Sequence, residues 1–236
     1  MRVYVLSGGL TLISMVVGLA STPGGASGAN AVPALNPAEF TTRIDNPYLP
    51  WDPGTVYVYR ASHGGGDVVT VTHRTKKVAG IKCVVVRDTD RANGRPTGRS
   101  LDWYAQDRQG NVWYFGEATS RYVHGHWVHD PDDSWRTGVR NARPGILMEA
   151  HPRRGDKYRQ EIARADDALD TARVRGFEQA LTVPYGTFED VLKIKEFSPL
   201  EPGSVDKDVY ARGIGELAEF SIKGGEGKSV LVSVRH

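Results

Sequence analysis

The sequence predicts a mainly β protein: a single curved antiparallel sheet, half-barrel or barrel-like, with at most one or two short helices. Runs rich in Val, Ile, Thr, Tyr and Phe recur at short, regular intervals, over 56–61, 68–74, 82–88, 101–106, 112–116, 158–162, 191–197, 209–211, 216–222 and 230–234. Turn-forming residues separate them at 64–66, 93–94, 110, 184–186 and 224–227. Only 163–173 (ARADDALDTAR) offers a helix of any length; having little apolar stripe, it also admits an acidic loop followed by a strand through Val183. A sheet of about eight to ten strands has to curl to cover its apolar face.

From the N-terminus, Arg2, the apolar run 3–20 and the small residues ending in Ala29 and Ala31 form a secretory signal, with cleavage expected after Ala31. No cysteine follows the apolar run, so an anchor through an N-terminal lipidated cysteine is excluded. The expected organisation is a signal peptide over 1–31, an N-terminal extension over 32–47 and one β domain over 48–236. The expected location is secreted, extracellular or in the cell envelope, with no stable membrane anchor after cleavage.

The 30 Lys and Arg less Arg2 leave 29 bases against 28 acids after cleavage, a balance that argues against nucleic acid as a partner. The one cysteine, Cys83 in KCVVVRD, excludes an intrachain disulfide. Its valine neighbours point to a buried, inert strand residue rather than a reactive thiol.

The segment DWYAQDRQGNVWYFGE, 102–117, holds five aromatic rings and three acids around one turn and predicts a β-hairpin. Pairing Gln106 with Asn111 puts Asp102, Tyr104, Gln106, Asn111, Trp113, Phe115 and Glu117 on one face, and Leu101, Trp103, Ala105, Val112, Tyr114 and Gly116 on the other. The face with Asp102 and Glu117 mixes wide rings with carboxylates and suits a ligand cavity; the opposite face has the composition of core. A buried acid needs a partner, and Lys195, which shares a face with Lys193 and Phe197 in VLKIKEF, and Arg159 in KYRQEI are candidates, either as a cavity floor or as exposed ion pairs.

Motifs of definite chemistry are missing. GGEGKS at 224–229 has Ile222 where a phosphate-binding loop needs its first glycine. DTDRANG at 88–94 begins like a calcium loop, but Ala92 stands at the third ligand position and Arg99 at the bidentate glutamate, so it is read as a turn. His124, His126 and His129, followed by Asp130, Asp132 and Asp133, could ligate zinc or copper, but their spacing is no recognised ligand signature and fits a hairpin tip with a wet acidic loop. No metal site and no cofactor are predicted. Asp102, Glu117, Glu161 and Glu196 could supply an acid–base pair for hydrolysis or isomerisation. Trp135 and Met148 are read as packing residues.

The runs NPYLPWDPGTVYVYR, DWYAQDRQGNVWYFGE, SWRTGVRNARPGILM, HPRRGDKYRQE, VPYGTFEDVLKIKEFSPLEPG and YARGIGEL resemble a family of exported bacterial proteins of unknown function, across nearly all of the chain after residue 31. That resemblance implies no established activity, cofactor or catalytic residue. Over 183–217, a V-P-x-G-x-F hairpin, a strand and Y-A-x-G-I-G are also similar to exported half-barrel proteins of the lipoprotein-carrier type, which implies a curved sheet with an apolar-lined concave cavity.

Together these features predict a secreted protein that binds a small or lipid-like apolar ligand in a cavity of its sheet. Tyr104, Trp113 and Phe115 would supply apolar contact, and Asp102, Glu117 and Lys195 would orient a polar end. A hydrolase or isomerase using the same acids is one alternative, and an envelope interaction protein without a ligand is another.

Overall fold

A computed structural model describes residues 35–225 and 227–236; the expected signal peptide over 1–31 lies outside the described residues. The strands in chain order are β1 (Phe40–Thr41), β2 (Ile44–Asn46), β3 (Leu49–Trp51), β4 (Val56–Ala61), β5 (Gly65–Val78), β6 (Ile81–Ala92), β7 (Arg95–Asp107), β8 (Val112–Val123) and β9 (His126–Arg136). They continue as β10 (Arg143–Met148), β11 (Lys157–Arg159), β12 (Glu161–Ile162), β13 (Thr171–Val183), β14 (Gly186–Phe197), β15 (Val205–Ala211), β16 (Gly215–Lys223) and β17 (Lys228–Arg235). Apart from the separate β2–β3 pair, they form one antiparallel sheet in the order β11-β13-β14-β15-β16-β17-β4-β5-β6-β7-β8-β10-β12, with β1 added to β7 and β9 to β8. The predicted curved antiparallel sheet is the observed fold.

The sheet is nearly a closed barrel because its two edges are consecutive stretches of chain. Residues 157–159 pair with β13, residues 161–162 pair with β10, and the Gln160 amide between them donates to Asp170 O at 2.9 Å. Edge strands expose unpaired backbone groups, and this seam removes most of them. Gly145 sits where the seam is tightest: a Cβ there would stand 2.3 Å from Gln160 O.

Long hairpins build the wall. Ala92 and Arg95 pair around Asn93–Gly94, whose φ values of 50° and 77° are those of a two-residue turn matched to strand twist. The residues left open between helix and loop take the strand alternative. Within 163–173, Arg164–Asp166 makes a 3-10 turn, stopped by Asp167 in the left-handed region (φ 54°), and β13 begins at Thr171. Without an apolar stripe nothing holds a longer helix on the barrel. The strand pattern of β10 and the small β2–β3 pair escaped sequence inspection, because Pro and Gly interrupt RPGILM and NPYLP.

Two apolar clusters use the two faces of the wall. The interior one includes Ile44, Leu49 and Trp51 of the β2–β3 pair together with Val84, Tyr104, Tyr114, Leu192, Val209 and Leu231. The outer one joins Val78, Ile81, Cys83, Val85, Trp103, Ala105 and Phe115, covered by Leu35, Phe40 and Trp113. Cys83 is fully buried there, and burial pushes its thiol up to about 12, so it is an inert packing residue. Trp135 and Met148 are buried in the interior cluster.

The β7–β8 turn is held by one carboxylate. Asp107 Oδ1 accepts from the amides of Gln109 and Asn111, both at 2.9 Å, and Oδ2 accepts from Asn111 Nδ2 at 2.9 Å and Trp113 Nε1 at 2.7 Å. Asp107→Ala should therefore lower stability by about 3 kcal/mol, since hydrogen bonds to a charged acceptor are the strong ones. Urea unfolding checks it, and an unchanged midpoint would show that the turn holds without its acceptor.

Candidate functional site

The hairpin register decides which rings reach the interior. Gln106 pairs with Val112, Ala105 with Trp113 and Tyr104 with Tyr114, one residue away from the pairing with Asn111 that the sequence predicts. A one-residue slip exchanges the faces of a strand. Tyr114 thus joins Tyr104 inside, their rings stacked at 4.6 Å and 17°, while Trp113 and Phe115 turn outward beneath Phe40, whose ring lies 6.1 Å and 5.5 Å from theirs. A bulge between these pairs and Asp102↔Glu117 then restores Glu117 to the inner face. Gly116 makes the bulge possible: its φ is 126°, and a Cβ would meet Trp135 O at 2.4 Å.

Of the six predicted site residues, Asp102, Tyr104 and Glu117 line the interior hollow, whereas Trp113 and Phe115 do not. Lys195 is also elsewhere. Its strand neighbour Ile194 is fully buried in the interior cluster, so alternation turns Lys195 outward, where its ammonium lies 5.2 Å from the Phe197 ring and its cross-strand neighbours are Arg173 and Lys207. Arg159 spends its guanidinium on Leu169 O at 2.8 Å and Thr171 Oγ1 at 2.5 Å. His124, His126 and His129 are exposed on the β8–β9 arm, with His124 in its turn (φ 49°) and His129 Nδ1 3.0 Å from Thr119 O.

The hollow is lined by both rings and acids. Trp51, Tyr59, Tyr104 and Tyr210 contribute rings, and Asp67, Asp88, Asp102, Glu117 and Glu216 contribute carboxyls; no lysine or arginine is among the described residues that line it. Its volume is about 40 Å³. A smaller hollow beside it is lined by Gln160, Glu196, Asp208, Glu216 and Glu219, and another by Glu117, Asp133, Glu161, Asp166 and Asp167, again without a base among the described lining residues. The four acids the sequence offered for acid–base work therefore divide. Asp102 and Glu117 are cross-strand neighbours, with Glu161 and Glu196 in adjoining spaces.

Inward acids without inward bases titrate abnormally. Asp102 is 5% exposed and accepts from Ser100 Oγ at 3.0 Å and Tyr114 Oη at 3.4 Å, yet burial pushes its carboxyl up to about 7. Burial and the neighbouring Asp102 and Glu161 raise Glu117 well above the carboxylate range. Burial pushes Asp67 and Glu196 up to about 8 and Glu216 to about 7, while burial and the charges of Glu196 and Glu216 hold Asp208 well up. Asp67, Asp208, Glu216 and Glu219 escaped sequence inspection, and Asp88, read there as part of a turn, lies within β6. The available signal was an acid in phase with apolar inward positions, as in Asp67-Val69-Val71 and Val84-Val86-Asp88.

No known sequence family and no curated protein sequence matches the chain. Among solved structures it is similar to a Bacteroides fragilis chain assigned as an exported protein with a YmcC-like fold, at 14% identity and TM-score 0.40, covering 80% of this chain and 99% of that one. It is also similar to a Parabacteroides distasonis chain assigned as a lipoprotein, at 13% identity and TM-score 0.45, covering 79% and 97%.

The raised acids set the sign of the pH dependence. The folded chain holds their protons more tightly than the unfolded chain, where carboxyls titrate near pH ~4. The destabilisation is absent below that range, grows as pH rises and is complete above about 8, the highest value among Asp67, Asp102, Glu196 and Glu216. The melting temperature should rise by several degrees as pH is lowered from about 8 to about 5. Calorimetry across that range checks it, and a flat or falling trend would mean these carboxyls remain hydrated.

Proposed function

We propose that this is an exported binding protein whose barrel holds a compact ligand carrying a basic or strongly hydrogen-bond-donating group. The observation that carries this reading is the hollow where Asp102 and Glu117 stand beside the Trp51, Tyr59 and Tyr104 rings with no described lysine or arginine lining it. Removing a carboxylate from water costs several kcal/mol unless a cation or donors offset it. A ligand amine can serve as that partner, and a short alkyl group can lie against the rings. The space open to water centres is too small for an extended acyl chain, which favours a small molecule over a lipid. The exported location rests on the N-terminal sequence pattern.

A catalytic reading is favoured by one specific observation. Asp102, at about 7, stands cross-strand from Glu117, also raised, so one member can hold a proton near neutrality while the other accepts one. Such a pair suits general acid–base hydrolysis or isomerisation of a ligand bound in the same hollow.

Ethylamine, ethanol and acetate, small enough for the hollow and differing mainly in the charge of one group, separate these possibilities. Calorimetric titration at about pH 8 should find the amine bound about tenfold or more tighter than the alcohol, with the acid not bound, because one charge-assisted hydrogen bond is worth that factor. The amine should weaken as pH falls through about 7, where Asp102 takes up its proton. Equal binding of amine and acid would refute the binding reading. If a panel of nitrophenyl glycosides and esters shows turnover, Glu117→Gln should abolish it; turnover undiminished in that variant would remove the catalytic pair.

A further inference from the structure

Asp67, Asp88 and Asp90 converge at one point of the wall. Asp67 on β5 faces Asp90 on β6 directly across the ladder, and Asp88, two residues before Asp90, shares its face. One carboxylate oxygen from each lies within 4.8 Å of the others. Gly98, opposite Asp90 on β7, keeps the space clear, since a Cβ there would stand 2.4 Å from Asp90 Oδ2.

An independent observation comes from another strand. Ser229 on β17 is 2% exposed and lines the same hollow; its hydroxyl stands near enough to Asp67 to favour that carboxylate, yet makes no well-aligned hydrogen bond in the protein. Asp67, also 2% exposed, has an unpartnered Oδ2, and Asp88 has an unpartnered buried Oδ1. Buried oxygens of Asp67, Asp88 and Ser229 without well-aligned partners in the lining of one hollow are unusual, because buried polar atoms nearly always find partners, whether protein, water or ion. Their chemistry is uniform: carboxylates and a hydroxyl, with no imidazole or thiolate. That is the donor set of a hard cation, and it disfavours the softer transition metals.

We propose that Asp67, Asp88 and Asp90, with the Ser229 hydroxyl as a neutral fourth oxygen, bind a hard divalent cation, calcium in preference to magnesium. Calcium accepts irregular oxygen sets at about 2.3–2.6 Å, whereas magnesium demands a tighter octahedron at about 2.0–2.1 Å. Donors fixed on three separate strands cannot contract to that shorter radius without distorting the wall. The two acids of β6 are those of DTDRANG, but they act from a strand in partnership with β5 and β17, not from a calcium loop. The site shares the hollow with the amine reading but uses neither Asp102 nor Glu117, so a titration without amine tests it separately.

The experiment takes protein stripped with EDTA and desalted, titrated at about pH 7.5 with calcium chloride and separately with magnesium chloride, read by calorimetry and melting temperature. The expected result is one calcium per chain, a dissociation constant of about 10⁻⁵–10⁻³ M, weaker magnesium binding, and a melting temperature that rises with calcium. Asp90→Asn should weaken calcium about tenfold or more yet melt no lower than wild type in EDTA, because it removes one of three crowded acids. Ser229→Ala should weaken calcium by a few-fold. Absence of saturable calcium binding up to about 10 mM, well above that range, would overturn the proposal, as would unchanged affinity in Asp90→Asn. Tighter magnesium than calcium would overturn the choice of ion.

Discussion

The barrel is organised around an electrostatic constraint: carboxyl groups face inward and no described base lines the spaces they face. Asp133 and Asp166 meet Arg121 and Arg140 from outside; the buried acids of the main hollow, when ionised, are stripped of water near others of the same sign and, when protonated, become hydrogen-bond donors beside aromatic rings. Opposite charge lies on the far side of the same wall. Arg173, Lys195 and Lys207 stand on neighbouring strands, alternating with the inward residues Ile194, Glu196 and Asp208. The two-residue side-chain period of a strand thus separates the charges by the thickness of one sheet, and pairing them across it is geometrically barred.

Such an interior needs a scaffold that does not depend on it. The two-sided wall supplies one. Outside, Trp103, Phe115 and Cys83 make a dry cluster capped by Phe40; inside, the β2–β3 pair inserts Leu49 and Trp51 and fastens itself to the β7–β8 turn through Asn46 Nδ2 to Gly110 O at 2.8 Å and Gln106 Nε2 to Asp45 Oδ1 at 2.6 Å. The seam at 157–162 joins the two sheet edges within six residues of chain. Apolar burial and backbone pairing are thereby satisfied around the acidic spaces without help from the carboxyls.

Part of the site was visible in the chain and part was not. Asp102, Tyr104 and Glu117 were legible because acids alternating with rings on a short strand fit neither a core nor a wet face. Trp113 and Phe115 were misplaced because the Asp107 turn takes Asn111 into the loop, which advances the register by one residue, and the Gly116 bulge then adds another. A single glycine inside an aromatic run carries no sign of its φ. Asp67, Asp88 and Ser229 meet only because β17, β4, β5 and β6 are neighbours in the sheet, although Asp67 and Ser229 are 162 positions apart, counted from 67 to 229.

By itself the sequence determined the secondary-structure class, the antiparallel order of the hairpins around Asn93–Gly94 and Gly110, and the inert burial of Cys83. These depend on local alternation and turn chemistry, which act over a few residues. The tertiary structure alone decided which acids share a hollow, that Lys195 lies outside it, and that three aspartates meet a distant serine. Those outcomes depend on strand register and sheet closure, and a shift of one residue in either would send the same side chains to the opposite face.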